Sequence, residues 1–442
     1  MCPIDPSRTK AARPETVDLA VIGAGAAGLT TAIFAARRAP ELRVRCIDGA
    51  RHIGAKILVS GGTRCNVTNR VVTERDFWGG SPRVVARVLR AFPAERAVTF
   101  FHELGVTLHE EEDAKLFPDT NRSRTVLDAL LAAIDSAGAS IDLEQRVREI
   151  RRDGDTFAIM TAEGEAYVAS RVVLATGGRS LPKTGSDGVG YELARQLGHG
   201  YVETTPALAP LVLDGDRHAS LSGVAHRVSL TLRANDRVRV RLEGSLLWTH
   251  FGASGPVVLN MSRHWHRARL DRGIVNSGPH EGGPHIAVNV CPDDTFESLE
   301  RWFLDQERER PRAQVSTVLA GRLPAAVADA WIAAAQVEPT VTLAHLTREE
   351  RRRLIHALLE TRLDVRDSRG YSYAEVTAGG IPLDEVDPAT LESRVCPGLH
   401  LVGEILDVDG RLGGFNFQWA WASGWVAGNA AATALARQLP TP

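Results

Sequence analysis

The sequence predicts an α/β chain in which a domain assembled from both chain ends is interrupted by an antiparallel β-domain that carries a small helical unit of its own. Three observations predict it. At the N-terminal end a buried strand, Val17–Ile22, runs through a glycine-rich turn into the helix-compatible run Leu29–Arg38. At the other end a second buried strand, Leu399–Val402, runs into another glycine-rich turn and a helix from about Gln418 to Arg437. Between them, from about Ala207, apolar and polar residues alternate, the period of half-buried antiparallel strands.

The elements follow in order. A strand at Val44–Asp48 completes a βαβ opening, Thr125–Ala137 has helical apolar spacing, and the segments near Val147 and Val168 alternate like paired strands. Arg171–Ala175 reads as a further buried strand leading into Thr176, Gly177 and Gly178. In the middle, Val228, Leu230 and Leu232 share one strand face, and Val238, Val240 and Leu242 share another. Asp294 with Glu297, and Thr347 with Glu350, have capping-box spacing, so the Ala- and Leu-rich stretches there read as helices. Alternation returns near Leu363–Val365. The expected division is 1–205 and 381–442 for the two-ended domain, 206–292 and 361–380 for the β insert, and 293–360 for the helical unit. The Gly-, Arg- and Pro-rich segment Arg267–Pro284 is expected to be a mobile loop.

Composition narrows the function. At 442 residues the chain exceeds what a single core organises, and 44% hydrophobic with 24% charged residues is a globular balance. A formal charge of -2 gives no field to attract phosphate backbones or anionic lipid, so no nucleic-acid partner is expected. The longest apolar runs, such as Leu19–Ile22 and Val172–Ala175, are strand-sized, so no membrane span is expected. The polar, proline-containing segment Met1–Thr16 lacks the apolar core of a secretory signal, which predicts a cytoplasmic protein. Cys2, Cys46, Cys65, Cys291 and Cys396 are odd in number and scattered, a pattern of reduced thiols. His264, His266, His280 and His285 lack carboxylate or thiolate company and read as a solvated surface, so no metal site is expected.

The turn GAGAAG, Gly23–Gly28, lies between strand and helix. Gly23 permits the tight turn, Gly25 lets backbone approach a pyrophosphate, and Gly28 allows close helix packing, with Ala24, Ala26 and Ala27 presenting N–H groups. Asp48, 20 residues beyond Gly28, stands where a carboxylate accepts from ribose hydroxyls. The turn alone leaves open which dinucleotide is held.

Three further segments, GAKILVSGGTRCNVTN (Gly54–Asn69), VLATGGRSLPKTGSDGVG (Val173–Gly190) and GLHLVGEILDVDGRLGGFNFQWAWASGWVAG (Gly398–Gly428), resemble the BaiN and aminoacetone-oxidase-like (YhiN-type) family of FAD-dependent oxidoreductases. LLWTHFGASGPVVLNMSR (Leu246–Arg263) and AEVTAGGIPLDEVD (Ala374–Asp387) extend the resemblance through the middle of the chain. It implies a glutathione-reductase-type, Rossmann-like FAD domain and a β-barrel-like insert. It also implies non-covalent FAD. Gly403 and Glu404 are then expected near the ribityl chain and pyrophosphate, with Asp407 and Asp409 shaping the turn. Gly413, Gly414 and Asn416, with Phe415 and Phe417, pass beside the isoalloxazine, and the helix beginning there directs its dipole at flavin N1 and O2. Ser60, Gly61, Gly62, Arg64, Cys65 and Asn66 form the other wall, and Lys56, Gly49, Val147 and Ala175–Gly178 (with Thr176 and Gly177 between) complete the cofactor set. Thr63 stands where family members usually have a third glycine.

The expected activity is hydride transfer through flavin N5 on a small organic substrate, either as a reductase using NAD(P)H as a transient donor or as an oxidase using oxygen. His250, in WTHFG, is the candidate acid or base, and Thr377 with Gly379 and Gly380 a candidate part of the same wall. A flavoprotein of RNA modification and a non-catalytic redox module are the alternatives.

Overall fold

The computed structural model describes residues 14–235, 237–273 and 283–438, and divides them into two compact units. The first unit takes residues up to Thr204 and from Val376 onward; the second is Thr205–Glu375. Val376–Gly380, expected with the β insert, thus belongs to the two-ended unit.

The first unit is built on a parallel sheet ordered Ser140–Asp142, Val44–Ile47, Glu15–Ile22 and Ala166–Leu174. Ala166–Leu174 has two neighbours on its far side. Its first half pairs antiparallel with Thr156–Thr161 (Val168 opposite Ala158), and its second half pairs parallel with Leu399–Leu401 (Val173 opposite His400). Two expectations change here. Arg171–Ala175 is the end of this one long strand, and the segments at Val147 and Val168 do not pair, because Thr156–Thr161 lies between them. The near-continuous burial of Leu19–Ile22 and Val172–Leu174 is what a sheet covered on both faces requires.

Helix Ala26–Arg38, from the opening of the chain, packs against helix Phe415–Ala436, from its close. The closing helix begins three residues before the expected Gln418. It is nearly uniformly apolar, and its Phe415, Trp419, Trp421 and Val426 join the core of the parallel sheet.

In the second unit a seven-stranded antiparallel sheet runs in the order Thr361–Leu363, His285–Asn289, Ala225–Ala234, Arg237–Thr249, Gly252–Ser254, Leu211–Leu213, Val365–Ser368. The two edge strands are separated in sequence by Asp364 alone. Consecutive Cα atoms are about 3.8 Å apart, so the edges meet and the sheet curls on itself as a barrel. Val228, Leu230 and Leu232 are buried inside it. Val238 is instead 48% exposed, because the register shifts between Leu232 and Arg233 and the partner strand twists outward there.

Helices Phe296–Glu309, Val315–Leu319, Ala325–Ala334 and Arg348–Leu359 lie in sequence between two neighbouring barrel strands. Thr347 and Glu350 form the expected capping box. The first helix is capped one residue later than expected: Thr295 accepts from Ser298 N and the Ser298 hydroxyl accepts from Thr295 N, while Asp294 accepts from that same hydroxyl. Arg267–Leu270, expected in a loop, closes helix Pro256–Leu270; residues 274–282 of that expectation, with His280, lie outside the described residues. Among the described residues no helix is long and apolar enough to cross a membrane.

Candidate functional site

The glycine turn sits at the carboxyl end of the parallel sheet, where open α/β sheets bind ligands. Gly23 has φ +105°, and a Cβ there would stand 2.6 Å from Ala175 O; a Cβ on Gly28 would stand 1.9 Å from Gly23 O. Both positions are closed to any side chain. At Gly25 a Cβ would meet nothing within 4 Å, so its glycine leaves backbone bare on the open side of the turn. Gly25 caps helix Ala26–Arg38 without a side-chain hydrogen bond, which leaves the first-turn N–H groups and the dipole for an anion.

Asp48 fixes this turn. Its Oδ2 accepts from Ala24 N at 2.6 Å and its Oδ1 from Ala50 N at 2.8 Å. Gln145 N donates to Asp48 O at 2.9 Å, and a Cβ on Gly49 would collide with Arg146, so the segment leading to buried Val147 is drawn against the same corner. Nearby, Thr176 Oγ1 is buried with no hydrogen-bond partner among the described residues.

A second cluster joins four segments. Lys56 Nζ donates to Glu404 Oε2 at 2.8 Å and to Ser180 Oγ at 2.7 Å. Ser180 Oγ and Thr377 N both donate to Glu404 Oε1, at 2.7 and 2.9 Å. Thr377 Oγ1 accepts from Arg179 N and Ser180 N, at 2.8 and 3.0 Å. Thr377 is fully buried, so its hydroxyl orients the Gly177–Ser180 turn and lines no open wall. A Cβ on Gly178 would strike Thr377 Oγ1 at 2.4 Å, which explains the second glycine of that turn. Gly403, at φ +72°, brings Glu404 beside the first turn: its Cβ would stand 2.9 Å from Ala27 Cβ.

The closing glycine pair forms a second uncapped helix start. Gly413 and Gly414 have φ +126° and +90°, and Gly414 caps helix Phe415–Ala436 with no side-chain bond. With its amide turned so that both ends are satisfied, Asn66 accepts from Gly414 N at 3.1 Å and donates to Thr68 O at 2.9 Å. The two predicted walls therefore touch. Asn416 makes two bonds to the Gly410 backbone, Asp409 is buried in a two-stranded ladder opposite Trp78, and Phe415 is buried edge-on to Phe77. Phe417 stacks on Trp421.

In the Ser60–Asn66 wall the helix Ala55–Thr63 breaks at Ser60, and Gly61, Gly62, Thr63 and Cys65 all take positive φ. Arg64 is not a lone charge: it pairs with Glu111 Oε1 at 2.5 Å and lies over the Phe117 ring at 4.2 Å, and that pairing holds the Glu111 carboxyl below its usual range. Burial pushes the Cys65 thiol up to about 12, so it stands as a neutral thiol and not as a nucleophile.

His250 lies in the second unit, exposed, with its ring edge-on to Phe251 at 5.1 Å. His264 and His266 are not on a solvated loop as expected. Both sit on helix Pro256–Leu270, where burial pushes His264 down to about 3 and His266 down to about 4. Among the described residues no group of three or more His, Cys, Asp or Glu side chains could hold a metal ion.

Several residues that build the site were not singled out in sequence. Gln418 is fully buried, accepting from Thr68 Oγ1 at 2.7 Å and donating to Phe92 O at 2.8 Å, and Trp421 Nε1 donates to Val67 O at 2.8 Å. Their signal was present: an amide among the aromatic residues of a largely apolar helix must find partners, and the polar pair Thr68–Asn69 supplies one.

Two uncapped helix starts, bare glycine backbone and an orphaned hydroxyl in one unit match what a dinucleotide with a redox ring requires, so the residues fit FAD. Comparison with known proteins agrees. The model of the HI0933-like protein Rossmann domain matches residues 17–430. The chain is 32% identical to the 3-dehydro-bile acid delta(4,6)-reductase of Clostridium scindens over 94% of its length and 98% of the relative's. It is 31% identical to the ribosomal RNA dihydrouridine synthase of Escherichia coli, over 93% and 97%. Among solved structures it is similar to the FrdA subunit of E. coli quinol fumarate reductase (TM-score 0.50, 17% identity, 98% of this chain and 72% of that one). It is also similar to Mycobacterium smegmatis Sdh1 (TM-score 0.50, 18% identity, 97% and 70%). With nearly its whole length matched by the family model and by relatives of more than 30% identity, the chain belongs to the HI0933-like family and is an FAD-dependent oxidoreductase.

Proposed function

We propose that this enzyme reduces a carbon–carbon double bond conjugated to a carbonyl, in a small organic substrate. The observation that carries the reading is the pair of glycine-headed helix starts, at Gly25 and Gly414, in one unit. The first suits a pyrophosphate and the second suits a ring that gains negative charge on reduction. The relatives' names, a delta(4,6)-reductase and a dihydrouridine synthase, both describe saturation of an unsaturated ring and favour a reductase over an amine oxidase.

FAD, held non-covalently by these residues, would supply two-electron chemistry between a transiently docked nicotinamide donor and the substrate. The chain's own residues bind and orient. Gly23–Gly28 present N–H groups to the pyrophosphate while Asp48 keeps the turn in shape. Lys56 holds Glu404 beside the turn, and Thr377 is a positioning residue that fixes the Gly177–Ser180 segment. Gly413–Gly414 let the closing helix present its positive end. His250 is the proton donor of this reading.

The test is anaerobic. NADH or NADPH should bleach the flavin, and an enone should restore its colour without air. Bleaching by an amine but not by NAD(P)H, with peroxide on readmitting oxygen, would refute the reductase reading. A second reading, reduction of uridine in ribosomal RNA, is favoured by two relatives' names and by the exposed Arg237, Arg239 and Arg241 on one barrel strand, and is opposed by the net charge of -2. Reoxidation by unmodified ribosomal RNA and not by free enones would select it.

A further inference from the structure

Ser229 is only 4% exposed, yet its hydroxyl has no hydrogen-bond partner among the described residues. A buried polar group left alone calls for a partner. Strand Ala225–Ala234 turns Val228, Leu230 and Leu232 into the barrel, so Arg227, Ser229, Thr231 and Arg233 stand in a row on its outer face. On that face lies a cavity of about 320 Å³, lined by Ser229 and Thr231 and wholly within the Thr205–Glu375 unit. Its volume is at the lower end of the ~300–1,000 Å³ range of small-molecule sites.

Ion pairs stand at both ends of the row. Arg227 Nη1 donates to the two oxygens of Asp293 at 2.8 and 2.7 Å, and its Nη2 to Glu243 Oε2 at 2.9 Å. At the other end Arg233 Nε and Nη2 both reach Glu360 Oε1, at 3.1 and 3.0 Å. Between them, Thr231 lies opposite Arg241 on one neighbouring strand and Ala287 on the other, and Ser229 lies opposite Glu243 and Asn289. Arg241 Nε donates to Thr231 Oγ1 at 3.2 Å, which holds the guanidinium against the row.

The groups these bonds leave over define the ligand. Among the described residues the terminal nitrogens of Arg241 have no partner. Asn289 Oδ1 accepts from Cys291 N at 2.8 Å, which leaves its Nδ2 to donate elsewhere. With the Ser229 hydroxyl, three neighbouring strands thus offer spare donors to one cavity. A carboxylate has two oxygens and the Arg241 fork alone would satisfy it, leaving Ser229 and Asn289 unanswered. A phosphate has oxygens enough for all three. The spare acceptors are Glu243 Oε1 and Glu360 Oε2, on carboxylates that Arg227 and Arg233 already neutralise, and they suit hydroxyl groups. A phosphodiester inside a nucleic-acid strand needs an exit on both sides, and the row ends in an ion pair on both sides. A terminal phosphate needs only one way in.

We infer that this cavity binds a small sugar phosphate, with the phosphate on Arg241, Ser229 and Asn289 and the sugar hydroxyls donating to Glu243 and Glu360. The inference does not depend on the reductase reading above.

Isothermal titration of the flavin-loaded enzyme, without NAD(P)H, tests it with ribose 5-phosphate, glucose 6-phosphate, ribose, inorganic phosphate and a short single-stranded RNA. At least one sugar phosphate should bind about tenfold or more tightly than either ribose or inorganic phosphate. Arg241→Gln should weaken that binding by about tenfold and Ser229→Ala by roughly fivefold. Arg239→Gln, on the same strand but outside the cavity lining, should leave it unchanged. Arg241 is exposed, so its variant tests the site without disturbing the barrel core, and circular dichroism checks the fold of each variant. Failure of both sugar phosphates to bind overturns the inference, as does affinity that survives Arg241→Gln. Inorganic phosphate binding as tightly as the sugar phosphates would mean an adventitious ion only. RNA binding more tightly than they do, and weakened equally by Arg239→Gln and Arg241→Gln, would give the strand to nucleic acid and overturn the inference too.

Discussion

Gly424 of the closing helix lies against Ala27 of the opening helix so closely that a Cβ on Gly424 would stand 2.7 Å from the Ala27 carbonyl oxygen. Gly428, one turn on, stands in the same relation to Thr31 O at 2.5 Å. The two chain ends are therefore packed backbone to backbone directly behind the phosphate turn. Gly428→Val should cost ~1–3 kcal/mol by overpacking. It should also loosen flavin, because the opening helix cannot shift without moving Gly25. Urea unfolding together with flavin retention on gel filtration checks both; unchanged retention in a destabilised variant would uncouple the packing from the site.

Asp48 holds Ala24 N and Ala50 N through separate carboxylate oxygens. Hydrogen bonds to a charged acceptor contribute ~1.5–3 kcal/mol each. Asp48→Ala should weaken FAD binding to the apoprotein by tenfold or more, with Asp48→Asn, which keeps one acceptor, in between. Fluorescence titration with FAD measures this, and equal affinity in all three would remove Asp48 from the site.

Thr63 sits at φ +69°, where a β-branched residue is strained by ~1–2 kcal/mol. Thr63→Gly removes the strain, and the greater freedom of glycine in the unfolded chain returns ~0.4–1 kcal/mol of it. A net gain of about half to one kcal/mol is expected in the denaturation midpoint. A loss would mean that the Thr63 side chain makes a stabilising contact when flavin is bound.

His400, on strand Leu399–Leu401 of the parallel sheet, is buried, with Nδ1 donating to Thr390 O at 3.0 Å and Nε2 accepting from Arg171 at 3.4 Å. Burial pushes it down to about 4, against the opposing pull of Glu392. The unfolded chain takes up this proton near pH 6.5 and the folded chain only near 4. Stability is therefore full above pH 6.5 and falls as the pH drops toward 4, by up to about 1.4 kcal/mol per pH unit for one histidine. His266, also pushed down to about 4, adds to the same slope. His400→Asn keeps the bond to Thr390 and should flatten the pH dependence of urea unfolding between pH 7 and 5; an unaltered slope would mean that other groups set it.

The glycine turn was legible because glycine at Gly23 and Gly28 answers a local steric demand that any reader of the chain can state. The closing helix was legible for the same reason at Gly414. What sequence did not disclose lies in partnerships at long range. Thr377 reads as a wall residue beside two glycines, yet its hydroxyl is turned inward by two backbone N–H groups from residues nearly two hundred positions earlier. Arg64 reads as part of the flavin wall, and its pairing with Glu111 and its place over Phe117 come from residues about fifty positions on. The cap of helix Phe296–Glu309 slipped by one residue because Asp294 and Thr295 are both competent caps, and only the Ser298 hydroxyl decides between them.

The helices of residues 296–359 are inserted between His285–Asn289 and Thr361–Leu363, strands that are already hydrogen-bonded partners with Ala287 opposite Arg362. Antiparallel neighbours need no more than a tight turn to join them. Topologically the whole helical module is an overgrown hairpin tip, free to lengthen, shrink or be exchanged between lineages while every rung of the cylinder beneath it stays in register.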